Sequence, residues 1–317
     1  MTNISHQKAS KVLRQKTLKT AINCSGIALH SGEKVSITLI PAKADTGIVF
    51  KRTDIAGKGA LIPARYDNVT ETVMCTTIGN ADGIKVATIE HLMAALSGCA
   101  IDNLLVEING PEMPVMDGSS APFVFLIECA GTKELKAPRK AIRIEKSVHV
   151  EDKERFAGFE PAQGSILDFT IDFDNPTIAR QNHCIHMGRG VFKEEISRAR
   201  TFGFLHEVEY MRANGLGRGG SLDNAVVISA DGVMNEDGLR FENEFVRHKI
   251  LDAIGDLSLA GMPIIGRYTG IRSGHYMNNQ LLHALMANQD AWSVVHMTQD
   301  DVDVAYTEQR KALAKTA

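Results

Sequence analysis

Three residues in the last third of the chain, His248, Asp252 and Asp256, follow one another at intervals of four. On a helix of 3.6 residues per turn, that spacing brings successive side chains to within about 40° of one another around the axis. An imidazole and a carboxylate one turn apart can close on a single metal ion, as the two histidines of a helical H-E-x-x-H site do. The same spacing also fits a solvated charged face with local ion pairs, because Arg247 and Lys249 flank His248. Spacing alone leaves both readings open.

A second pair, Glu90-His91, stands near the start of TIEHLMAAL. A histidine beside a carboxylate could divide the work of hydrolysis, one holding an ion and the other taking a proton from water. An acid placed against the dipole of a helix N-terminus is the plainer account of the dipeptide. His275 follows Gly274 in the polar run SGHYMNN, which reads as a loop histidine able to move a proton, or simply a surface one. A rival cluster, His183-Cys184-Ile185-His186, packs three ligand types into four residues. Ligands so close in sequence seldom face one ion, and no carboxylate adjoins them to act as a base. The glycine run GLGRGGS (215–221) lacks the G-K-[ST] ending of a phosphate loop and reads as a flexible turn. No H-E-x-x-H occurs, which excludes a metalloprotease of that type.

The elements that must position these groups are legible as patterns. KVSITLIPA alternates, with Val35, Ile37 and Leu39 on one face, and TGIVFKRT follows after a turn. TIEHLMAALSGCAIDNLLVEIN predicts a helix closed by Gly98, then a strand through Leu104, Val106 and Ile108. APFVFLIEC predicts a short helix after the turn-like DGSS. LKAPRKA (135–141) reads as a linker, with a proline among basic residues. Beyond it, AIRIEKSVHVED and SILDFTIDF predict strands, ISRARTFGFLHEVEYMRANG a mainly helical stretch, and NAVVIS a buried strand. RFENEFVRHKILDAIGDLSLAG predicts a long helix ending at Gly261. The expectation is an α+β protein of two similar domains, 17–138 and 139–300, with a flexible extension over 1–16 and a tail over 301–317.

Composition narrows the function classes. The 317 residues suffice for two cores, and 44% apolar with 23% charged residues is a globular balance. A formal net charge of -3 argues against broad nucleic-acid binding. Five cysteines with no C-x-x-C pair suggest reduced thiols in the cytoplasm rather than a disulfide framework. The N-terminus lacks the apolar stretch of a secretory signal, and no run approaches the roughly 18 apolar residues of a membrane span. Nothing requires more than a monomer.

Six stretches, SGIALHSG, TIEHLMAAL, PVMDGSSAPFV, SRARTFGF, LRFENEFVRHKILDAIGDL and SGHYMNN, together resemble the UDP-3-O-acyl-N-acetylglucosamine deacetylase family. These are zinc amidases of bacterial lipid A synthesis, and the resemblance runs from about Gln15 into the 290s. It implies two similar two-layer helix-on-sheet domains, packed helix face to helix face, with the active site between them. It implies a catalytic zinc held by His91, His248 and Asp252, a set that also accepts ferrous iron. Glu90 then corresponds to the general base and His275 to an acid or oxyanion stabiliser. Asp256 corresponds to the carboxylate orienting His275, Thr201 to a hydroxyl donor to the oxyanion, and Lys249 to a positive group near the substrate phosphates. The implied substrate is a UDP-3-O-(3-hydroxyacyl)-N-acetylglucosamine, losing acetate.

Substrate contacts carry over as well. Phe173 matches an aromatic that stacks on uracil. Arg155 and Arg272 stand where some members place lysines near the nucleotide phosphates, and a guanidinium forks where an ammonium points. Phe202 and Val208 match the start of an acyl-chain passage, and Met74 and Cys75 match residues at the active-site mouth. An amidase of the same architecture acting on another N-acyl sugar nucleotide is the nearest rival, and a catalytically inert binding protein the next.

Overall fold

The computed structural model describes residues 10–56, 60–304 and 307. Strand alternation builds the first sheet, since Val35, Ile37 and Leu39 are buried between exposed or half-buried neighbours. Along the chain the first strands are β1 (Arg14–Leu18), β2 (Ile22–Ile27), β3 (Lys34–Pro41), β4 (Ile48–Arg52) and β5 (Leu61–Pro63). They are followed by β6 (Val69–Glu71), β7 (Thr77–Gly79), β8 (Lys85–Val86), β9 (Leu104–Ile108) and β10 (Thr132–Pro138). Five of them pair in the order β2-β3-β9-β4-β5, with only β4 and β9 parallel. Helices α1 (Glu90–Gly98) and α2 (Ala121–Ala130) bring Leu92, Leu96, Phe123 and Ile127 into one core with Val35, Leu39 and Val106. A small sheet, β6-β7-β8, stands apart, and β1 pairs with β10.

The second half repeats the scheme on a larger sheet. Its strands are β11 (Lys140–Ile144), β12 (Val148–Asp152), β13 (Arg155–Glu160), β14 (Ser165–Asp172) and β15 (Arg180–His186). After β16 (Phe202–Phe204), β17 (Val226–Ser229) and β18 (Gly232–Val233) come β19 (Ile264–Ile271) and β20 (Trp292–His296). The sheet is organised on β19, which runs parallel to β11 and β14 and antiparallel to β13. Strands β16, β17 and β18 form a separate three-stranded sheet near α3 (Leu205–Ala213). Helices α4 (Glu244–Leu257) and α5 (His275–Ala287) lie on the large sheet, α4 against β14 and β15, α5 against β12 and β13.

The two helix layers meet where α1 packs on α4. A Cβ on Gly255 would stand 2.2 Å from the Glu90 carbonyl oxygen, so only glycine permits this approach. The result is the expected α+β architecture, two helix-on-sheet layers packed through their helices. Among the described residues, no helix is long and apolar enough to cross a membrane.

Several local expectations are corrected. The segment 135–141 is almost wholly strand, and only Arg139 separates β10 from β11. Its guanidinium donates to Asp102 at 2.7 Å, while its amide and carbonyl bond Leu13 and Met297, which pins the junction. Residues 10–16 are not a free extension, since Val12 bridges Thr298 and β1 begins at Arg14. Residues 301–304 of the expected tail are helical, with Asp301 accepting from the amide and hydroxyl of Thr298. The rest of both termini lies outside the described residues, apart from Thr307. The run ISRARTFGF is not helical beyond a single π turn at Phe192–Ile196. Arg200 is drawn into a buried ion pair with Glu244, and Thr201 exchanges backbone bonds with Gly118 and Val226, which holds the chain extended.

Candidate active site

Helix α4 is buried along its whole length except at Arg247 and Lys249. Its His248-Asp252-Asp256 row is therefore not a solvated face; it points into the seam with α1. The row meets the first turn of α1, where Glu90 and His91 are 4% and 5% exposed. His91 Nε2 and His248 Nε2 stand 3.8 and 3.3 Å from Asp252 Oδ1. One donor atom from each of the three residues lies within 4.8 Å of the other two, the only such group among the described residues.

The donor chemistry fits a divalent ion. Burial, with smaller contributions from neighbouring charges, pushes the His91 imidazole down to about 3 and lowers that of His248, so both rings are neutral with a lone pair to give. His248 Nδ1 donates to the Ala199 carbonyl at 3.1 Å, which leaves Nε2 as the free donor. The His91 ring is set by packing, edge-on to His248 at 84°. Burial works against charge on Asp252, yet its charged neighbours, Lys249 and the protonated His275, outweigh it and hold the carboxylate ionised.

Beside this group lie the proton-transfer candidates. Burial, together with Asp252 and Asp256, raises the Glu90 carboxyl to about 7 against the opposing pull of His275. Glu90 Oε2 accepts from the Thr76 amide at 3.1 Å. His275 is the first residue of α5, not part of a loop, and its side chain is only 10% exposed. Burial opposes its charge, but Asp256 at 2.9 Å from Nδ1, with Glu90 and Asp252 further off, raises it to about 9. The imidazolium is therefore the neutral-pH form. Lys249 donates to Asp252 at 2.8 Å, and this partner, with Asp256 and Glu90, outweighs burial and raises its pKa.

Glu90, His91, His248, Lys249, Asp252 and His275 line a cleft of about 750 Å³. Thr201, Phe202, Met74, Cys75, Arg155, Phe173 and Arg272 line it too. Phe173 packs edge-on to Phe202 and Phe204, and Phe202 in turn to Phe245, giving the cleft one aromatic wall. Arg155 is exposed at its rim. Arg272 is engaged by Glu154 and, at 3.0 Å, by Asp172, so an arriving anion would compete with two carboxylates. Met74 is half exposed and Cys75 buried, its thiol pushed up to about 12 by burial and by Glu90. Val208 is not among the lining residues; it lies on α3, its Cγ2 in van der Waals reach of Gly203.

The rival cluster on β15 does not assemble. His183 faces Glu195 at 3.7 Å, so a carboxylate is near in space although none is near in sequence. The glycine run 215–221 is no phosphate loop: it lies on Leu29 and His30, and a Cβ at Gly219 would strike the Ala28 carbonyl at 2.2 Å. Sequence reasoning missed Thr76 and Asn278, whose hydroxyl and amide donate to Asp256 at 2.6 and 2.8 Å. Their only sequence signal is position, next to Cys75 and three residues after His275.

Two imidazoles and a carboxylate converging beside a second carboxylate and a charged histidine define the site class of a metal-assisted hydrolase. Comparison with known proteins makes the class particular. The chain matches the UDP-3-O-acyl N-acetylglycosamine deacetylase family over residues 15–287 and belongs to it. It is 50% identical over 295 residues to the UDP-3-O-acyl-N-acetylglucosamine deacetylase of Shewanella frigidimarina (strain NCIMB 400), covering 92% of this chain and 96% of that protein. The proteins of the same name from Shewanella sp. (strain W3-18-1) and Shewanella oneidensis are each 49% identical over 296 residues, with the same coverage.

Proposed function

We propose that the protein hydrolyses the N-acetyl group of UDP-3-O-(3-hydroxyacyl)-N-acetylglucosamine, releasing acetate, as a zinc-dependent step of lipid A synthesis. The observation that carries this reading is the convergence of His91, His248 and Asp252 beside Glu90 and the His275–Asp256 pair, in one cleft of a member of this family. His91, His248 and Asp252 would hold a zinc or ferrous ion, which would supply Lewis-acid polarisation of the amide carbonyl and acidify water at neutral pH.

The chain's own residues do the rest. Glu90 takes the proton of the attacking water as general base. His275, kept protonated by Asp256, faces the developing oxyanion or the departing amine and donates to it. Thr201, which also lines the cleft, adds a hydroxyl donor to the oxyanion. Lys249 places a fixed positive charge beside the reacting centre while restraining Asp252. Phe173 offers a ring face for the uracil, Arg155 and Arg272 meet the diphosphate, and Phe202 begins the acyl wall with Val208 behind it. Met74 and Cys75 border the mouth.

The same reading divides the chain into two units that meet at the β10–β11 junction around Arg139 and treats the enzyme as a cytoplasmic monomer. Five unpaired cysteines fit a reducing compartment. The test combines metal content with acetate release from the acylated UDP-sugar and from unacylated UDP-N-acetylglucosamine. One ion per chain with turnover of the acylated form alone is expected. Equal turnover of both would favour an amidase of broader sugar-nucleotide range, and no acetate from either would overturn the reading.

A further inference from the structure

Asp256 is more heavily constrained than an orienting carboxylate requires. Its Oδ2 accepts from His275 Nδ1 and from Asn278 Nδ2, at 2.9 and 2.8 Å. Asn278 is fixed in turn by Tyr268 and Ser273, whose hydroxyls donate to its carbonyl oxygen at 2.7 and 3.0 Å. The remaining oxygen, Oδ1, accepts from Thr76 Oγ1 at 2.6 Å across 180 positions of sequence.

Thr76 has a second set of partners. Its amide donates to Glu90 Oε2 at 3.1 Å, and its carbonyl accepts from the Ile89 amide at 3.3 Å. One residue, 2% exposed, thus ties the first turn of α1, the carboxylate of Glu90 and the carboxylate that holds His275. These groups come from opposite helix layers, and Gly255 sets the layers at backbone contact beside them. Side-chain rotation of Asp256 would leave that contact intact and still misdirect the imidazole. The Thr76 hydroxyl blocks such a rotation.

We propose that Thr76 is a positioning residue that fixes Glu90 and His275 relative to one another, the first through its amide and the second through its hydroxyl and Asp256. The proposal rests on the assignment of Glu90 and His275 as base and acid. Thr76 touches neither substrate nor metal ligand in this role. Its hydroxyl is the part that side-chain replacement can remove, because the amide bond to Glu90 survives any substitution other than proline.

The test uses the full-length, zinc-loaded protein. Thr76→Val keeps the volume and removes the hydroxyl. A fall in kcat of roughly 10–100-fold is expected, the usual span for groups that orient an active-site residue from behind. KM and zinc stoichiometry should stay unchanged, since only alignment is lost. Thr76→Ser, which keeps the hydroxyl, should recover most of kcat. Thr76→Ala gives a second deletion should valine fail to fold. An undiminished kcat in Thr76→Val or Thr76→Ala, a loss matched by zinc loss or a raised KM, or no recovery with serine would each overturn the proposal. A measurement independent of turnover separates it from the functional assignment. In ¹⁵N-histidine-labelled protein, the ring-nitrogen resonances of His275, assigned by their loss in His275→Ala, should move in Thr76→Val and return in Thr76→Ser. Unmoved resonances overturn the proposal even if acetate is released, whereas moved resonances without acetate release would leave it standing and overturn the function.

Discussion

Two short runs of this chain are equally rich in side chains of metal-ligating type, and among the described residues only one of them joins a group able to hold an ion. On β15, His183, Cys184 and His186 occupy four positions of a strand, whose alternation sends neighbours to opposite faces. His183 faces Glu195, and among the described residues no third side chain of ligand type completes a group with them. On α4, His248 and Asp252 are a turn apart on one face, and a third donor side chain, His91, arrives from a different helix. Local density of ligand types therefore matters less than a periodicity that keeps them on one face and a packing partner that completes the set. The contrast extends to proton transfer, for the α4 row continues to Asp256 and through it to His275.

The largest expected effect lies at the three clustered donors. His248→Ala or Asp252→Ala should take zinc from one ion per chain to almost none, measured by elemental analysis after gel filtration; retained stoichiometry would remove them from the set. Glu90→Ala and His275→Ala should keep the ion and lose roughly 10²–10⁴-fold in kcat. Zinc loss in the His275 variant would move that residue into the ligand group.

The His275–Asp256 pair also predicts a pH effect. With His275 raised to about 9, a step needing the imidazolium persists at neutral pH and fails as pH rises through that value. Asp256→Asn removes the charge that raises it, so the alkaline limb of kcat/KM should fall toward the ordinary histidine value of about 6.5 or below. An unmoved limb would assign that limb to another group.

A smaller effect concerns the wall beside the centre. Arg200 and Glu244 form an ion pair with side chains 7% and 0% exposed, and Glu244 also accepts from the amides of Arg200 and Arg240. Arg200→Ala strands this carboxylate and should cost about 3–5 kcal/mol of stability in urea unfolding. Smallest of all, His183→Ala and His186→Ala should leave zinc content and kcat unchanged. A drop in zinc with either would restore β15 as a ligand-bearing strand.

The legible parts of the chain were those where periodicity and burial agree. The alternation of Val35, Ile37 and Leu39 announces β3, and the apolar run around Ile250, Leu251 and Ile254 announces α4. Less legible were places where a distant partner overrides local preference. Arg200-Thr201 reads as helix continuing toward α3, but Glu244 and Gly118 hold it extended. His275 reads as a loop residue until the hydrogen bond to Asp256 and the packing of α5 bury it. Leu135–Ala141 reads as a linker, although pairing with β1 and β20 makes it strand.

By itself the sequence determined the donors and their phase: a histidine and two carboxylates at helical spacing, and a Glu-His pair at a helix start. These are local facts, set by residue identity and by 3.6 residues per turn. It also determined the family, through six stretches that match in order. Only tertiary structure decided that His91 and His248 share one ligand group, because their distance depends on α1 reaching α4 across Gly255. Only tertiary structure showed Thr76 joining Glu90 to Asp256, since hydrogen-bond partners 14 and 180 positions away have no periodic signature. The charges follow the same division. Identity makes His275 titratable, while burial beside Asp256 keeps its proton on at neutral pH.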